Sequence, residues 1–310
     1  MEKIAVIGVG LIGRAWAIVF ARAGREVALH DSDPKSLAAN LATMDASLAD
    51  LHAAGLLAEP AAAVRARIRI ADTLEAALDG AAYVQENVRE TVEAKREIFA
   101  RMDALAPPAT ILASSTSTVP ASIFSEGLAG RARCLVVHPV NPPYLVPLVE
   151  LSPAPWTAPE VVERARQLQA AVGQVPIVVK KEIQGFVLNR LQAALLSEAW
   201  RLHEDGYASA EDIDATVREG LGLRWSFMGP FETIDLNAPG GVVDYVSRYG
   251  PLLNEIDASQ IPRRWSEQNL ARLEAERRKT LPAAELARRQ AWRDRRLMAL
   301  IAHKRSVSMK

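Results

Sequence analysis

Residues 4–31 read IAVIGVGLIGRAWAIVFARAGREVALHD. An apolar strand runs into a glycine-rich turn, an apolar helical stretch, a second strand and a closing acid, Asp31. Gly8, Gly10 and Gly13 fall in G-x-G-x-x-G spacing. In such a unit the first glycine permits the tight turn, and the second lets backbone approach a pyrophosphate. The third lets the helix pack close to the sheet. Leu11 and Ile12 open the helix, whose unpaired N–H groups and positive dipole end would face the phosphates. Asp31 can accept hydrogen bonds from both ribose hydroxyls and would repel a 2′-phosphate. Ser32, Asp33 and Pro34 follow, with no base before Lys35. That pattern favours NAD over NADP. A glycine-rich β–α turn with no ligand is the plainer reading of the same residues.

Outward from this unit, strand and helix patterns alternate through the first 180 or so residues. RIRIA, AAYVQEN, TILASS, RCLVVH, PLVELSP and QVPIVVK read as strands after the first two. Helical patterns run from Pro34 towards Gly55, through TVEAKREIFARMDAL, and from Ala158 to Val172. Repeated β–α units imply a mostly parallel, doubly wound sheet of Rossmann type. After Lys180-Lys181 the strand-like runs vanish, and FVLNRLQAALLSEAWRLHEDG opens a series of helical patterns. The expected fold class is α/β: an N-terminal NAD-binding domain over residues 1–183, then an all-α domain over residues 184–310.

Composition narrows the function classes. The chain has 310 residues, 49% of them hydrophobic, and a formal net charge of zero. A neutral chain has no electrostatic footprint for nucleic acid or anionic membrane. AWAIVFARAG is too short and too charged to span a bilayer. One cysteine, Cys134, excludes a disulfide framework. With strand one at the N-terminus leaving no room for a signal peptide, a cytoplasmic protein is expected.

Three polar islands stand at apolar strand ends. Ser114-Ser115-Thr116-Ser117-Thr118 follows TILA, where strand ends face the ligand crevice. Its hydroxyls could donate to a substrate oxygen, or Ser117 or Thr118 could cap the next helix. His138 closes RCLVV before the stiff turn Pro139-Val140-Asn141-Pro142-Pro143-Tyr144. It could exchange a proton at neutral pH, or be structural. Glu150 lies inside PLVELSP, where a carboxylate needs a partner. An imidazole suits it: the acid holds one ring nitrogen and leaves the other for substrate.

Ser117, His138, Glu150 and Asn189 occur in the order and approximate spacing of the catalytic residues of the L-3-hydroxyacyl-CoA dehydrogenases. The chain resembles that family over nearly its whole length. It is most similar to the branch of λ-crystallin and L-gulonate 3-dehydrogenase, through GVGLIGRAWA, SSTST, HPVNPPY, PLVEL, GFVLNRLQ and EGLGLRWSFMGPFET. The resemblance implies hydride transfer to NAD, with His138 as base, Glu150 orienting it, and Ser117 and Asn189 donating to the reacting oxygen. It also implies that Glu90, Lys95, Ser117 and Asn141 line the cofactor site, that no metal takes part, and that the helical domain forms a homodimer. Read as residues alone, Lys95 could be an exposed helix charge paired with nearby acids, Glu90 a helix N-terminal acid and Asn189 a surface amide.

The sequence departs from the acyl-CoA enzymes at GLGLRWSFMGP, where Arg224 brings a guanidinium. Such a group grips a small carboxylate better than a thioester chain. Pairing with Glu219 or Glu232 is the alternative. The expected activity is oxidation of a small 3-hydroxy acid, L-gulonate or a related sugar acid. A short-chain 3-hydroxyacyl-CoA dehydrogenase and a non-catalytic NAD-binding structural protein remain as rivals.

Overall fold

The computed structural model describes residues 2–308. Its strands are β1 (Lys3–Ile7), β2 (Glu26–His30), β3 (Ile68–Ile70), β4 (Ala81–Glu86), β5 (Ile111–Ser114), β6 (Cys134–Pro139), β7 (Leu148–Pro153) and β8 (Val175–Val178). They form one sheet in the order β3-β2-β1-β4-β5-β6-β7-β8. Every ladder is parallel except β6–β7, which is antiparallel and sets His138 opposite Glu150. Strand order reverses beside β1, between β2 and β4. A ligand crevice opens at such a switch point, beyond the carboxyl ends of the strands.

Helices α1 (Leu11–Arg22), α2 (Pro34–Ala53), α3 (Ala61–Ala66), α4 (Leu74–Leu78), α5 (Val92–Leu105), α6 (Ala121–Ser125) and α7 (Pro159–Ala171) connect the strands. Alternate residues of the parallel strands feed two separate apolar layers. One is built on Trp16, Phe20 and Tyr83, the other on Phe99, Met102 and Phe124. Helix α1 supplies eight buried residues to this core. That explains why its sequence is apolar almost all round.

By its contacts the chain forms two compact units, Met1–Arg190 with Gln290–Lys310, and Leu191–Arg289. Residues 184–190 and the described residues from 290 to 308, grouped with the helical domain by sequence pattern, therefore belong with the sheet. Their placement has a physical cause. In the final helix Met298 is buried in the first apolar layer, with Leu297 and Ile301 packed beside it.

The second unit holds helices joined by short turns and loops, with no strand among its described residues. It takes in most of α8 (Leu188–Glu204), followed by α9 (Ala210–Ala215), a π-helical turn (Thr216–Leu221), α10 (Gly222–Trp225), α11 (Pro230–Leu236), α12 (Gly241–Ser259) and α13 (Glu267–Thr280). Within this unit α8 is tied to α13 by the His203 Nδ1···Asn269 Oδ1 bond of 2.7 Å. No described helix is long and apolar enough to cross a membrane.

Candidate active site

A cleft of about 630 Å³ opens where β1, β2 and β4 end, lined by Gly8, Gly10, Asp31, Ser32, Asn87 and Val88 among others. Gly8 has φ +86°, and a Cβ there would come within 2.8 Å of the Asn87 carbonyl. A Cβ on Gly13 would lie 1.8 Å from the Gly8 carbonyl oxygen, so helix and turn touch through backbone alone. Gly10 differs: a Cβ there would meet nothing within 4 Å. Gly10 is also the N-cap of α1, and no side chain caps that helix. Open space in front of uncapped N–H groups suits an anionic diphosphate. Leu11 stands exposed beside it, and Ile12 packs against the core. Asp31 accepts the Val9 N–H through Oδ2 at 2.6 Å and the Asp33 N–H through Oδ1 at 2.9 Å. This fixes the carboxylate in the cleft wall. Arg89 and Arg101 line the same cleft. The local reading of bases after Asp31 did not find them, because they come from distant positions in the chain.

His138 lies on β6 with 4% of its surface exposed, and its Nδ1 is 2.9 Å from Glu150 Oε2. A carboxylate at Nδ1 places the proton there and leaves the Nε2 lone pair free as a base. The other Glu150 oxygen, Oε1, accepts the N–H groups of Val187 and Leu188, each at 2.9 Å. Glu150 thus ties the imidazole to the start of α8. Burial works against its charged form. The His138 bond and the two backbone N–H groups outweigh that and hold its carboxyl below the usual range. Phe186, fully buried, sets its ring 5.3 Å from the His138 ring. It takes φ +51° directly after Gly185 at +78°. A bulky residue in the left-handed region is strained and marks an over-determined position. Only the apolar letter after a glycine hints at this in the sequence.

The hydroxyl cluster does not cap a helix: Pro120 is the N-cap of α6 and no side chain bonds there. Instead the loop is gripped by Glu90, whose Oε1 accepts from Thr116 Oγ1, the N–H of Ser117, and the N–H and Oγ1 of Thr118, at 2.5–3.1 Å. Asn189 Nδ2 donates to the Ser117 carbonyl at 3.1 Å. Ser117 is therefore held on both sides of its backbone, and Asn189 is no idle surface amide. Asn141 stands exposed just past the end of β6.

Lys95 is paired with nearby acids but is not exposed: it is 1% exposed. Its Nζ lies 2.9 and 3.1 Å from the two oxygens of Glu86, itself fully buried at the end of β4. Burial pushes the Glu86 carboxyl up, and Lys95 pulls against it. Glu86 passed unnoticed in the sequence because an acid closing the strand AAYVQE reads as a solvated end. A second buried polar line was also missed. It runs Gln169 Nε2 to Tyr83 Oη (3.1 Å), Tyr83 to Gln85 Oε1 (2.6 Å), Gln85 Nε2 to Ser115 Oγ (2.7 Å) and Ser115 to Asn87 Oδ1 (2.7 Å). Its end, Asn87, is in the wall of the cleft.

Arg224 lies in α10 of the helical unit and is exposed. Glu219, offered as its partner, pairs with Arg218 instead at 2.6 Å. Among the described residues no group of three or more His, Cys, Asp or Glu side chains is placed to hold a metal ion.

Two family models match the chain: the 3-hydroxyacyl-CoA dehydrogenase NAD-binding domain over residues 3–183, and the C-terminal domain of the same family over residues 185–276. The chain is 43% identical to the λ-crystallin homolog of Bos taurus, over 96% of this chain and 94% of that one. It is 38% identical to an L-carnitine dehydrogenase of Streptomyces griseus, over 82% and 75%. A solved structure of 5-formyl-3-hydroxy-2-methylpyridine 4-carboxylic acid 5-dehydrogenase, described as an NAD⁺-dependent dismutase, matches with a TM-score of 0.84 at 28% identity, over 97% of each chain. With both domain models spanning most of its length, this chain belongs to the 3-hydroxyacyl-CoA dehydrogenase family of NAD-dependent oxidoreductases acting on a CH–OH group.

Proposed function

We propose that this enzyme oxidises the 3-hydroxyl of a small, free 3-hydroxy acid, with L-gulonate the first candidate. The observation that carries the proposal is the His138–Glu150 pair, with Nδ1 committed to the carboxylate at 2.9 Å. His138 Nε2 takes the hydroxyl proton in oxidation and returns it in reduction. Glu150 steadies the imidazolium that forms. The Ser117 hydroxyl and the second Asn189 Nδ2 proton donate to the reacting oxygen, each worth about 3–4 kcal/mol if placed as an oxyanion donor. The Gly8–Gly13 turn, Leu11, Ile12, Asp31 and Asn141 would hold NAD, whose nicotinamide would supply the hydride acceptor.

A free acid is favoured over a thioester by the guanidinium that Arg224 adds to the GLGLRWSFMGP segment, a group suited to gripping a small carboxylate. Two relatives are named for free acids, L-carnitine and a pyridine carboxylic acid. The test is kcat/KM for L-gulonate, 3-hydroxybutyrate and 3-hydroxybutyryl-CoA, measured side by side by NADH absorbance. A thioester turned over far better than either acid would establish the acyl-CoA reading. No turnover with intact NAD binding would establish a structural, non-catalytic protein.

A second copy of the chain is the expected partner, through the helical unit. Phe227, Phe231, Val243 and Val246 are 70%, 81%, 78% and 51% exposed there, and apolar area on this scale marks an interface. A cytoplasmic setting agrees with the lone, buried Cys134, whose thiol burial pushes up to about 12.

A further inference from the structure

The chain enters α8 through a turn that is tied at both ends. Before it, Glu182 Oε1 accepts the Ser122 N–H of α6 at 3.0 Å. After it, the N–H groups of Val187 and Leu188 meet Glu150 Oε1, each at 2.9 Å. Between these anchors the Phe186 N–H returns to the Ile183 carbonyl at 3.2 Å, and Gly185 and Phe186 take φ +78° and +51°. Gly185 does so freely. Phe186 does not, since a side chain in the left-handed region crowds its own backbone. Burial offsets that strain: the Phe186 ring is 0% exposed and belongs to the second apolar layer. Its centroid lies 5.3 Å from that of the His138 ring, with the two planes 44° apart.

We infer that Phe186 is a positioning residue for the base: its ring fixes the tilt of the His138 imidazole, and its left-handed backbone aims two N–H groups at the carboxylate that holds Nδ1. The hydrogen bond to Glu150 Oε2 sets where Nδ1 lies. By itself it leaves the ring free to rock about the Cβ–Cγ bond, a torsion with broad wells. A flat apolar face against the imidazole narrows that swing, so Nε2 keeps one direction. A catalytic group has to stay within about 10–20° of its productive direction. One residue thus serves both members of the pair. That accounts for a bulky side chain at a position whose backbone glycine would adopt without strain. The inference rests on the reading of His138 as the base for its kinetic arm only; the state of the imidazole tests it independently.

The experiment compares Phe186→Gly and Phe186→Leu with the unmodified full chain. Glycine removes the ring and adopts the left-handed backbone freely. Leucine restores apolar bulk without a flat face. Three readouts are used: the ¹⁵N chemical shifts of the His138 ring nitrogens, which report the tautomer, NADH affinity by fluorescence, and kcat on whichever substrate the unmodified protein turns over. In the unmodified protein the neutral ring should carry its proton on Nδ1 alone. Phe186→Gly is expected to show a mixture of the two tautomers and a kcat lowered by about ten- to a hundredfold, the cost of a misplaced group. Its NADH dissociation constant should move by less than about threefold. Phe186→Leu should recover most of both losses, keeping a kcat deficit of about two- to fivefold. A single Nδ1–H tautomer with normal kcat in Phe186→Gly would overturn the inference, even with a lower melting temperature, because the ring would then be core packing alone. Should Phe186→Gly not fold, Phe186→Leu decides: a measurable Nε2–H population supports positioning, and an unchanged tautomer with full kcat overturns it. If the unmodified protein turns over no acid or thioester, the proposed function fails, and the tautomer still decides the role of Phe186.

Discussion

His138 and Glu150 face one another directly across the β6–β7 ladder, so backbone register sets their 2.9 Å contact. Because this ladder is antiparallel, a residue near the end of one strand meets one near the start of the next. The carboxylate reaches the imidazole at the sheet's ligand edge without crossing a helix. The same carboxylate then meets the first N–H groups of α8.

Removing the imidazole should cost the general base alone. His138→Ala is expected to lower kcat by about 10²–10⁴ with NADH affinity unchanged. Glu150→Gln should lower kcat, because the imidazolium formed on taking the hydroxyl proton loses its counter-charge. Steady-state kinetics between pH 5 and 9 check both, and a His138→Ala enzyme of normal kcat would end the assignment.

Glu150 also links stability to pH. Its carboxyl is held below the usual range in the folded chain by His138 and the Leu188 and Val187 N–H groups, against burial. Its contribution is complete above the unfolded value of about 4.3 and is lost as pH falls through the lower folded value. Urea melts at stepped pH should show a decline below about pH 4 that is shallower in Glu150→Gln.

The glycines separate binding from folding. Gly10→Ala adds a methyl where no protein atom stands within 4 Å, so melting temperature should hold while NADH binding is lost. Gly13→Ala drives a Cβ to 1.8 Å from the Gly8 oxygen, so it should destabilise the protein as well. Calorimetry and NADH titration on the two variants distinguish them; equal melting losses would contradict the geometry.

Asp31→Ala should weaken NAD and relax discrimination against NADP, because the 2′-phosphate no longer meets a carboxylate. The freed Val9 and Asp33 N–H groups should also loosen the cleft wall. Comparison of kcat/KM for the two cofactors before and after substitution is the measurement. Equal values in the unmodified protein would refute the selectivity.

Arg224→Met should raise KM for the acid by roughly tenfold to a hundredfold, since a charged hydrogen bond is worth about 1.5–3 kcal/mol. Arg224→Lys should recover part of it, an ammonium lacking the planar fork. An unchanged KM for the acid in Arg224→Met would remove Arg224 from the site.

The sheet was legible because each strand is a short apolar run bounded by turn residues, and α1 because glycine spacing and periodicity agree. The direction of β7 was not legible: PLVELSP alternates no differently in a parallel or an antiparallel ladder. His138, Glu150 and Ser117 could be picked out as polar letters at apolar strand ends. Glu86 looked the same as any strand-closing acid, and Lys95 the same as any helix lysine, because burial of a charge depends on neighbours 9 and 28 residues away. The final helix misled for a related reason. Its arginine-rich surface dominates the pattern, while Met298, Leu297 and Ile301 make the packing stripe.

That helix makes the helical unit an insertion, with residues 191–289 joined to the sheet-bearing unit by two covalent tethers. Stopping translation after Arg190 would leave a bare apolar seam where Met298 belongs, and such a fragment should aggregate. Excising 191–289 and bridging Arg190 to Gln290 with a glycine-serine linker keeps the seam closed. A minimal nucleotide-binding version of this protein has to be cut from the middle of its gene, with both ends retained.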